Sequence, residues 1–477
     1  MKPFYAKIIM ISLLLNAACS FGGHYENRKT VLPSAAGNVR TQISGKRRNA
    51  IPSIGADLQK PEGMSFVGSA DPSAPKSRER ERSRFYYEKK RMAMQSAVDS
   101  VRTRLSGKLE KPIPSISVYI QALNGTWFVS SADLSAQRLT ERTHFRFASN
   151  TKTFTAAAVL KMHQDGWLDI DSHITAAIPS SSTPYVPDTA GWNIPYKDRI
   201  TIEQLLQHAA GVYDVDNDSR DDYWNGMSYV RWQLSLDPYH QFSADELVGQ
   251  LVAHPDLYYF EPGTGVPHYS NTGYTILSEI IARVYSARAG SAKTYSDYLY
   301  DHVIGGSSPV PLSVVQFPHR ATDAILPAPC VSGIEYAEGG TVPDVYSAQN
   351  MSAHVAEGNG YGNFIDLNRF VRTLFSGVNV LHPNTVNTMV NSIGPHAAGS
   401  YALGCDHVKN LGYGHNGAIY GYLSTMRYNP ETDVSLVVLM PLIDGSAGAT
   451  SLGTCIMDGI YAAAWDALKV LGYPGRP

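Results

Sequence analysis

The 477-residue chain is short of several features that would place it quickly. Its apolar runs stay well under the ~20 residues that a membrane span needs, and its four cysteines are too few for a disulfide scaffold. Neither sign of charge prevails. Forty Lys and Arg face 42 Asp and Glu, a formal net charge of −2, so nucleic acid is not an expected partner. No His-Glu-x-x-His occurs and the 15 histidines are scattered, which leaves zinc chemistry unsupported and no metal expected. Gly-x-Ser-x-Gly is also missing, and with it the nucleophile turn of an α/β-hydrolase. No internal repeat is visible. What is present is enough chain, 43% hydrophobic, for one large core or two modest ones.

The N-terminus reads as an export signal over residues 1–18. Lys2 and Lys7 precede a short apolar stretch, Ile8 to Leu15, and the small residues Ala17 and Ala18. Cys19 follows directly, which resembles the lipobox of bacterial lipoproteins, where that cysteine is lipidated. Asn16 departs from the pattern, since Leu usually stands there. Lipid anchoring at Cys19 in the periplasm or outer cell envelope is the expectation, and simple cleavage and release is the alternative. An oxidising compartment would permit one disulfide among Cys330, Cys405 and Cys455, leaving one thiol unpaired. Residues 19–84 read as a flexible tether, rich in Gly, Ser, Pro, Lys and Arg. Its excess of basic residues suits a solvated spacer or one drawn to anionic lipid and cell-wall polymers.

Folded sequence, residues 85–477, begins with an amphipathic helix over Phe85–Lys108. Ser115–Ala122 and Thr126–Ser130, joined at Asn124-Gly125, predict a β-hairpin. Tyr413–Ala418, Tyr420–Arg427 and Val434–Met440 read as strands, and Leu452–Val470 as a closing helix. Strands at both ends around a mainly helical middle imply an α/β (α+β) fold: one antiparallel sheet built from both chain ends, flanked by helices, with a helical inserted subdomain.

Ser149-Asn150-Thr151-Lys152 opens an apolar helix over Phe154–Met162. A spacing of three puts Ser149 and Lys152 on one helix face. A serine hydroxyl needs a base within hydrogen-bond reach, and lysine serves only when burial or nearby charge keeps it neutral. Ser73-Ala74-Pro75-Lys76 repeats the pattern, but inside the Pro-rich tether. The surroundings of the first copy, through Gly166-Trp167-Leu168-Asp169, resemble the nucleophile region of the class C β-lactamase and D-alanyl-D-alanine carboxypeptidase family. Ile200 to His208 resembles its next landmark, with His208 structural.

That resemblance implies the remaining site residues. Of four Tyr-x-Asn copies, Tyr269-Ser270-Asn271 follows a Pro262-Gly263 turn and precedes an apolar helical stretch, Tyr274–Val284, as in the family. Tyr269 would then shuttle protons and Asn271 hold the acyl-side amide. β-Lactamases carry Lys-Thr-Gly on the strand lining the site. Here Lys-x-Gly occurs nowhere, and the matching place reads His415-Asn416-Gly417-Ala418. By resemblance His415 supplies a donor, Gly417 makes room for substrate, and the N–H groups of Ala418 and Ser149 form an oxyanion hole. The resemblance runs from about Phe85 to the C-terminus. It implies a serine hydrolase without cofactor, acting on a small peptide or ester, a D-alanine-terminated peptidoglycan stem peptide first among them. An esterase or D-amino-acid amidase, a β-lactamase, and a non-catalytic penicillin-binding lipoprotein are the alternatives. The intact Ser149, Lys152, Tyr269 and Asn271 argue against the last.

Overall fold

The computed structural model describes residues 75–133, 136–265, 267–337, 340–342, 348–392 and 401–477. Cys19, the export signal and Ser73 lie outside them. Two compact units are distinguished, residues 25–89 and residues 1–24 with 90–477. Of the smaller unit only residues 75–89 are described, and they are helical. Helix α1 spans Pro75–Leu109 and so starts ten residues before Phe85, inside the stretch read as tether. Pro75 is suited to a first helical turn, and the Arg-Glu alternation after it is made of good helix formers. From Lys90 onward Met94, Val98, Val101 and Leu105 form the buried stripe that the periodicity predicts.

Six strands make the main sheet: β1 (Ser115–Ala122), β2 (Gly125–Ala132), β3 (Asp406–Val408), β4 (Gly412–Ile419), β5 (Tyr422–Asn429) and β6 (Val434–Met440). Their order is β2-β1-β6-β5-β4-β3, antiparallel throughout, with Val118 opposite Val438 and Val437 opposite Met426. The sheet from both chain ends is therefore present, with residues 133–405 inserted between β2 and β3. Every residue of β6 is buried, because helices cover both sheet faces.

Helices α2 (Thr151–Gln164), α3 (Asn271–Ala289) and α4 (Phe364–Phe375) build the layer that carries the site. Phe154 of α2 stacks on Phe370 of α4 with ring centroids 3.6 Å apart. Helix α5 (Tyr461–Leu471) packs on β1 and β6, continuing a segment that begins at Ala449 and passes through a wider turn at Cys455–Ile460. Strand boundaries shift by one or two residues from expectation, and the shift at the start of β5 has a clear cause. Ile419 pairs with Tyr422, so Tyr420 and Gly421, both at positive φ, form a two-residue turn that matches the twist of a hairpin. Cys330, Cys405 and Cys455 are all free thiols. Among the described residues no helix is long and apolar enough to cross a membrane.

Candidate active site

The short strand Phe145–Arg146 delivers the chain to a tight helical turn, Ala148–Asn150, that runs straight into α2. Ala148 sits at φ +51°, an uncommon conformation for a residue with a Cβ. The turn is held against the sheet by Asn150, whose Nδ2 donates to Phe147 O at 2.7 Å and to Ser424 Oγ on β5 at 2.9 Å. Strand β4 passes so close that a Cβ on Gly417 would lie 2.0 Å from Phe147 O. The glycine is thus required by backbone packing behind the nucleophile, rather than by room for substrate alone. Ala418 follows it on the same strand, half-buried.

Ser149 and Lys152 are brought together as the helical spacing predicts. Nζ of Lys152, fully buried, lies 3.3 Å from Ser149 Oγ, 2.6 Å from Asn271 Oδ1 and 3.0 Å from the main-chain oxygen of Glu357. Burial drives the ammonium below its ordinary value, with Glu357, Asp214 and Asp216 pulling the other way. Tyr269 precedes α3, whose first turn is capped by Ser270 Oγ accepting from Gly273 N at 3.1 Å. Its ring stands 4.6 Å from Lys152 Nζ and 4.2 Å from the ring of His208. Burial pushes the phenol well above its ordinary range, the Ser149 hydroxyl opposing. With the Ser149 hydroxyl as its neighbour, the phenol oxygen is placed to pass a proton to or from a reacting group.

His208 packs beside Tyr269. Its Nδ1 accepts from Ser270 N at 3.1 Å, and burial holds the ring neutral beneath Tyr269. Asn271 is held at three points: Oδ1 by Lys152, Nδ2 by Asp216 at 2.8 Å, and its N–H by Asp214 at 2.9 Å. Its side chain thus contacts the base directly. His415 is buried and not on an exposed strand face. Its Nδ1 contacts Asn416 O, so that nitrogen carries the proton and Nε2 accepts from Tyr401 Oη at 3.0 Å. Burial lowers its pKa to about 4, so the imidazole is neutral at physiological pH.

Sequence reading missed a second layer. Asp214, pushed up to about 8 by burial and the nearby Asp216 and Asp218, accepts from Asn271 N and Asn217 Nδ2. His354 Nδ1 lies 3.2 Å from Asp216 Oδ2 and 2.7 Å from Glu357 Oε1, and its Nε2 3.3 Å from Tyr420 Oη. The only sequence signals were the alternating acids Asp214, Asp216 and Asp218 and the His354-x-x-Glu357 pair, neither of which is specific. Among the described residues Asp216, His354 and Glu357 form the one cluster of such groups whose polar atoms lie within 4.8 Å of one another. These atoms are spent on each other, on Asn271 and on Lys152, so the cluster is a closed hydrogen-bond network.

The arrangement can carry out acyl transfer: a hydroxyl with an adjacent amine and a phenol, at a helix N-terminus. Comparison with known proteins agrees. The Beta-lactamase family model matches residues 91–442. Protein flp of Staphylococcus aureus strain MW2 is 24% identical over 343 residues, covering 69% of this chain and 60% of the relative. Its counterpart from strain NCTC 8325 / PS 47 is 28% identical over 192 residues, 39% of this chain and 32% of the relative. The chain thus spans less than two thirds of the length of these curated relatives. Among solved structures, D-amino acid amidase from Ochrobactrum anthropi SV3 superposes with a TM-score of 0.61 at 21% identity, covering 80% of this chain and 99% of that one. A D-stereospecific amidohydrolase from Streptomyces sp. gives 0.58 at 22%, covering 76% and 98%. The octameric penicillin-binding protein homologue from Pyrococcus abyssi gives 0.56 at 17%, covering 79% and 77%. These likenesses show the fold. With well over half its length matched by the family model, the chain belongs to the Beta-lactamase family and has its serine-hydrolase fold.

Proposed function

We propose that the protein is a serine acyl-hydrolase that forms an acyl-enzyme at Ser149, with D-aminoacyl amides and short esters as its substrate class. The observation that supports it most is the buried Lys152 amine 3.3 Å from Ser149 Oγ. Lys152 takes the hydroxyl proton as Oγ attacks the acyl carbon. The N–H groups of Ser149 and Ala418 face the developing oxyanion, Tyr269 passes a proton to the leaving amine or alcohol, and water then hydrolyses the ester.

His415 decides between amide or ester substrates and carboxylate-bearing ones. A β-lactam or a D-alanine-terminated peptide presents a carboxylate, and the family's Lys-Thr-Gly lysine would meet it with a fixed charge. A neutral His415 offers none, Lys152 acts as a neutral base in this reading, and His354 is already paired with buried carboxylates. The carboxypeptidase reading stays second, favoured by the His-x-Gly pattern. A fluorescent penicillin should label Ser149 and release slowly, while D-alanine amide or a p-nitrophenyl ester should turn over steadily. Faster release of D-alanine from a D-alanyl-D-alanine peptide would reverse the order of the two readings. Cephalosporin turnover at about 10² per second or more would make the protein a β-lactamase.

We also propose lipid anchoring at Cys19. Cys19→Ser should release the protein from the membrane fraction or block its processing. Mass spectrometry showing an unmodified start beyond Cys19 would refute the anchor.

A further inference from the structure

Five side chains around the base close into a ring. Lys152 Nζ lies 2.6 Å from Asn271 Oδ1, whose Nδ2 donates to Asp216 Oδ2 at 2.8 Å. Asp216 Oδ2 is 3.2 Å from His354 Nδ1, His354 is 2.7 Å from Glu357 Oε1, and Glu357 Oε2 returns to Lys152 Nζ at 3.4 Å. Glu357 is 2% exposed and touches the lysine twice, through its carboxylate and its main-chain oxygen. A buried carboxylate without a cationic partner is costly, so this one is tied to the charge state of its neighbours. A nucleophile and base are generally completed by a third group that orients the base. Asn271 and the Glu357 carbonyl orient Lys152 by hydrogen bonding. The Glu357 carboxylate is the direct contact that can also balance a charge appearing on Nζ.

We propose that Glu357 is the positioning residue of the Ser149–Lys152 pair, holding Lys152 against the nucleophile and supplying the counter-charge when the lysine takes the serine proton. The proposal rests on the acyl-hydrolase reading of this site. In the step, the Ser149 O–H bond breaks and the Oγ electron pair forms the bond to the acyl carbon. The carbonyl π pair moves to oxygen, and the proton forms a third N–H bond on Nζ, making the ammonium. That ammonium stands beside the Glu357 carboxylate until it returns the proton, through Tyr269, to the leaving group. His354, paired with Asp216, keeps Glu357 from swinging away.

The pH consequence follows from the groups around Nζ. Glu357, Asp214 and Asp216 favour its charged form, burial opposes it, and the rings of Tyr269 and Tyr274 stand 4.6 and 5.3 Å away. His208 and His415 feel the lysine charge but are themselves held neutral. Around Glu357 stand Lys152, His354 and Asp216, and His354 also faces Tyr420. Removing the Glu357 charge lowers the pKa of Lys152, so the acid limb of kcat/KM moves to lower pH. A weaker, less well-held base also lowers the plateau.

The test uses the full chain and a p-nitrophenyl ester. Glu357→Gln should cut kcat by about 10²-fold with KM within about threefold. It should also move the acid limb down by roughly one pH unit. A limb that stays in place overturns the proposal whatever the rate, because a purely structural role slows the enzyme without moving its titration. If Glu357→Gln does not fold, Glu357→Asp decides: it keeps the charge but shortens the reach. An unmoved limb with kcat down about tenfold or more supports the proposal, and kcat within about threefold of wild type overturns it. Ser149→Ala is run alongside. Retained turnover there would refute the acyl-hydrolase reading itself, a failure separable from that of Glu357.

Discussion

Alanine at position 149 should abolish covalent labelling by penicillin and fluorophosphonate and lower turnover on the order of 10⁶-fold. No other hydroxyl can take over at the same place. Ser149 is held at the start of α2 by the Ala148–Asn150 turn, and the phenol of Tyr269 is pushed too high by burial to ionise readily. The same substitution should leave the fold intact. Lys152 keeps Asn271 and both Glu357 contacts when Oγ is removed, so stability should change by less than about 1 kcal/mol. Labelling stoichiometry, steady-state rates and thermal unfolding check all three statements. Wild-type turnover in Ser149→Ala, with loss in Ser73→Ala, would mean that the tether copy of Ser-x-x-Lys carries the chemistry.

Methionine at position 152 fills nearly the same space and removes the base. Turnover should drop by about 10⁴-fold, the upper range for a general base. The effect on stability depends on pH, and its sign can be worked out. Burial raises the Glu357 pKa above its unfolded value, and Lys152 is the largest influence holding it down, followed by His354. Without Lys152 the folded pKa rises further. A carboxyl whose folded pKa exceeds its unfolded one costs nothing below the unfolded value and destabilises increasingly as pH rises through the folded one. Lys152→Met should therefore be only mildly destabilised near pH 5 and by about 3 kcal/mol near pH 8, the scale of an orphaned buried partner. Denaturant unfolding at the two pH values measures this. An equal penalty at both would show that Glu357 is not ionised beside Lys152.

Much of this site could be read from the chain because its first contacts are local. Ser149 and Lys152 are one helical turn apart, and Tyr269 and Asn271 flank the cap of α3, so spacing alone places each pair. The hairpin of β1 and β2 and the strand Val434–Met440 were likewise visible as short-range patterns. Misreadings arose where long-range packing decides. His415 was expected to offer a donor, yet in the fold both of its nitrogens are engaged, by Asn416 and by Tyr401. Gly417 reads in the sequence only as space for substrate, and the close approach of Phe147 O adds a backbone reason for it that no local pattern carries. Tyr420 looked like a strand residue, yet the register of β4 against β5 turns it out to meet His354.

The sequence by itself determined the nucleophile pair, the order of the family's elements and a sheet made from both chain ends, because hydrophobic period and helical spacing act over a few residues. Only the tertiary structure decided the charge state of that pair. Asp214, Asp216, His354 and Glu357 come from segments up to 143 positions apart and are joined by hydrogen bonds to Lys152 and Asn271 by folding alone. Their influence depends on burial and on distances of about 3 Å, and Coulomb energy in a dry interior changes steeply with both.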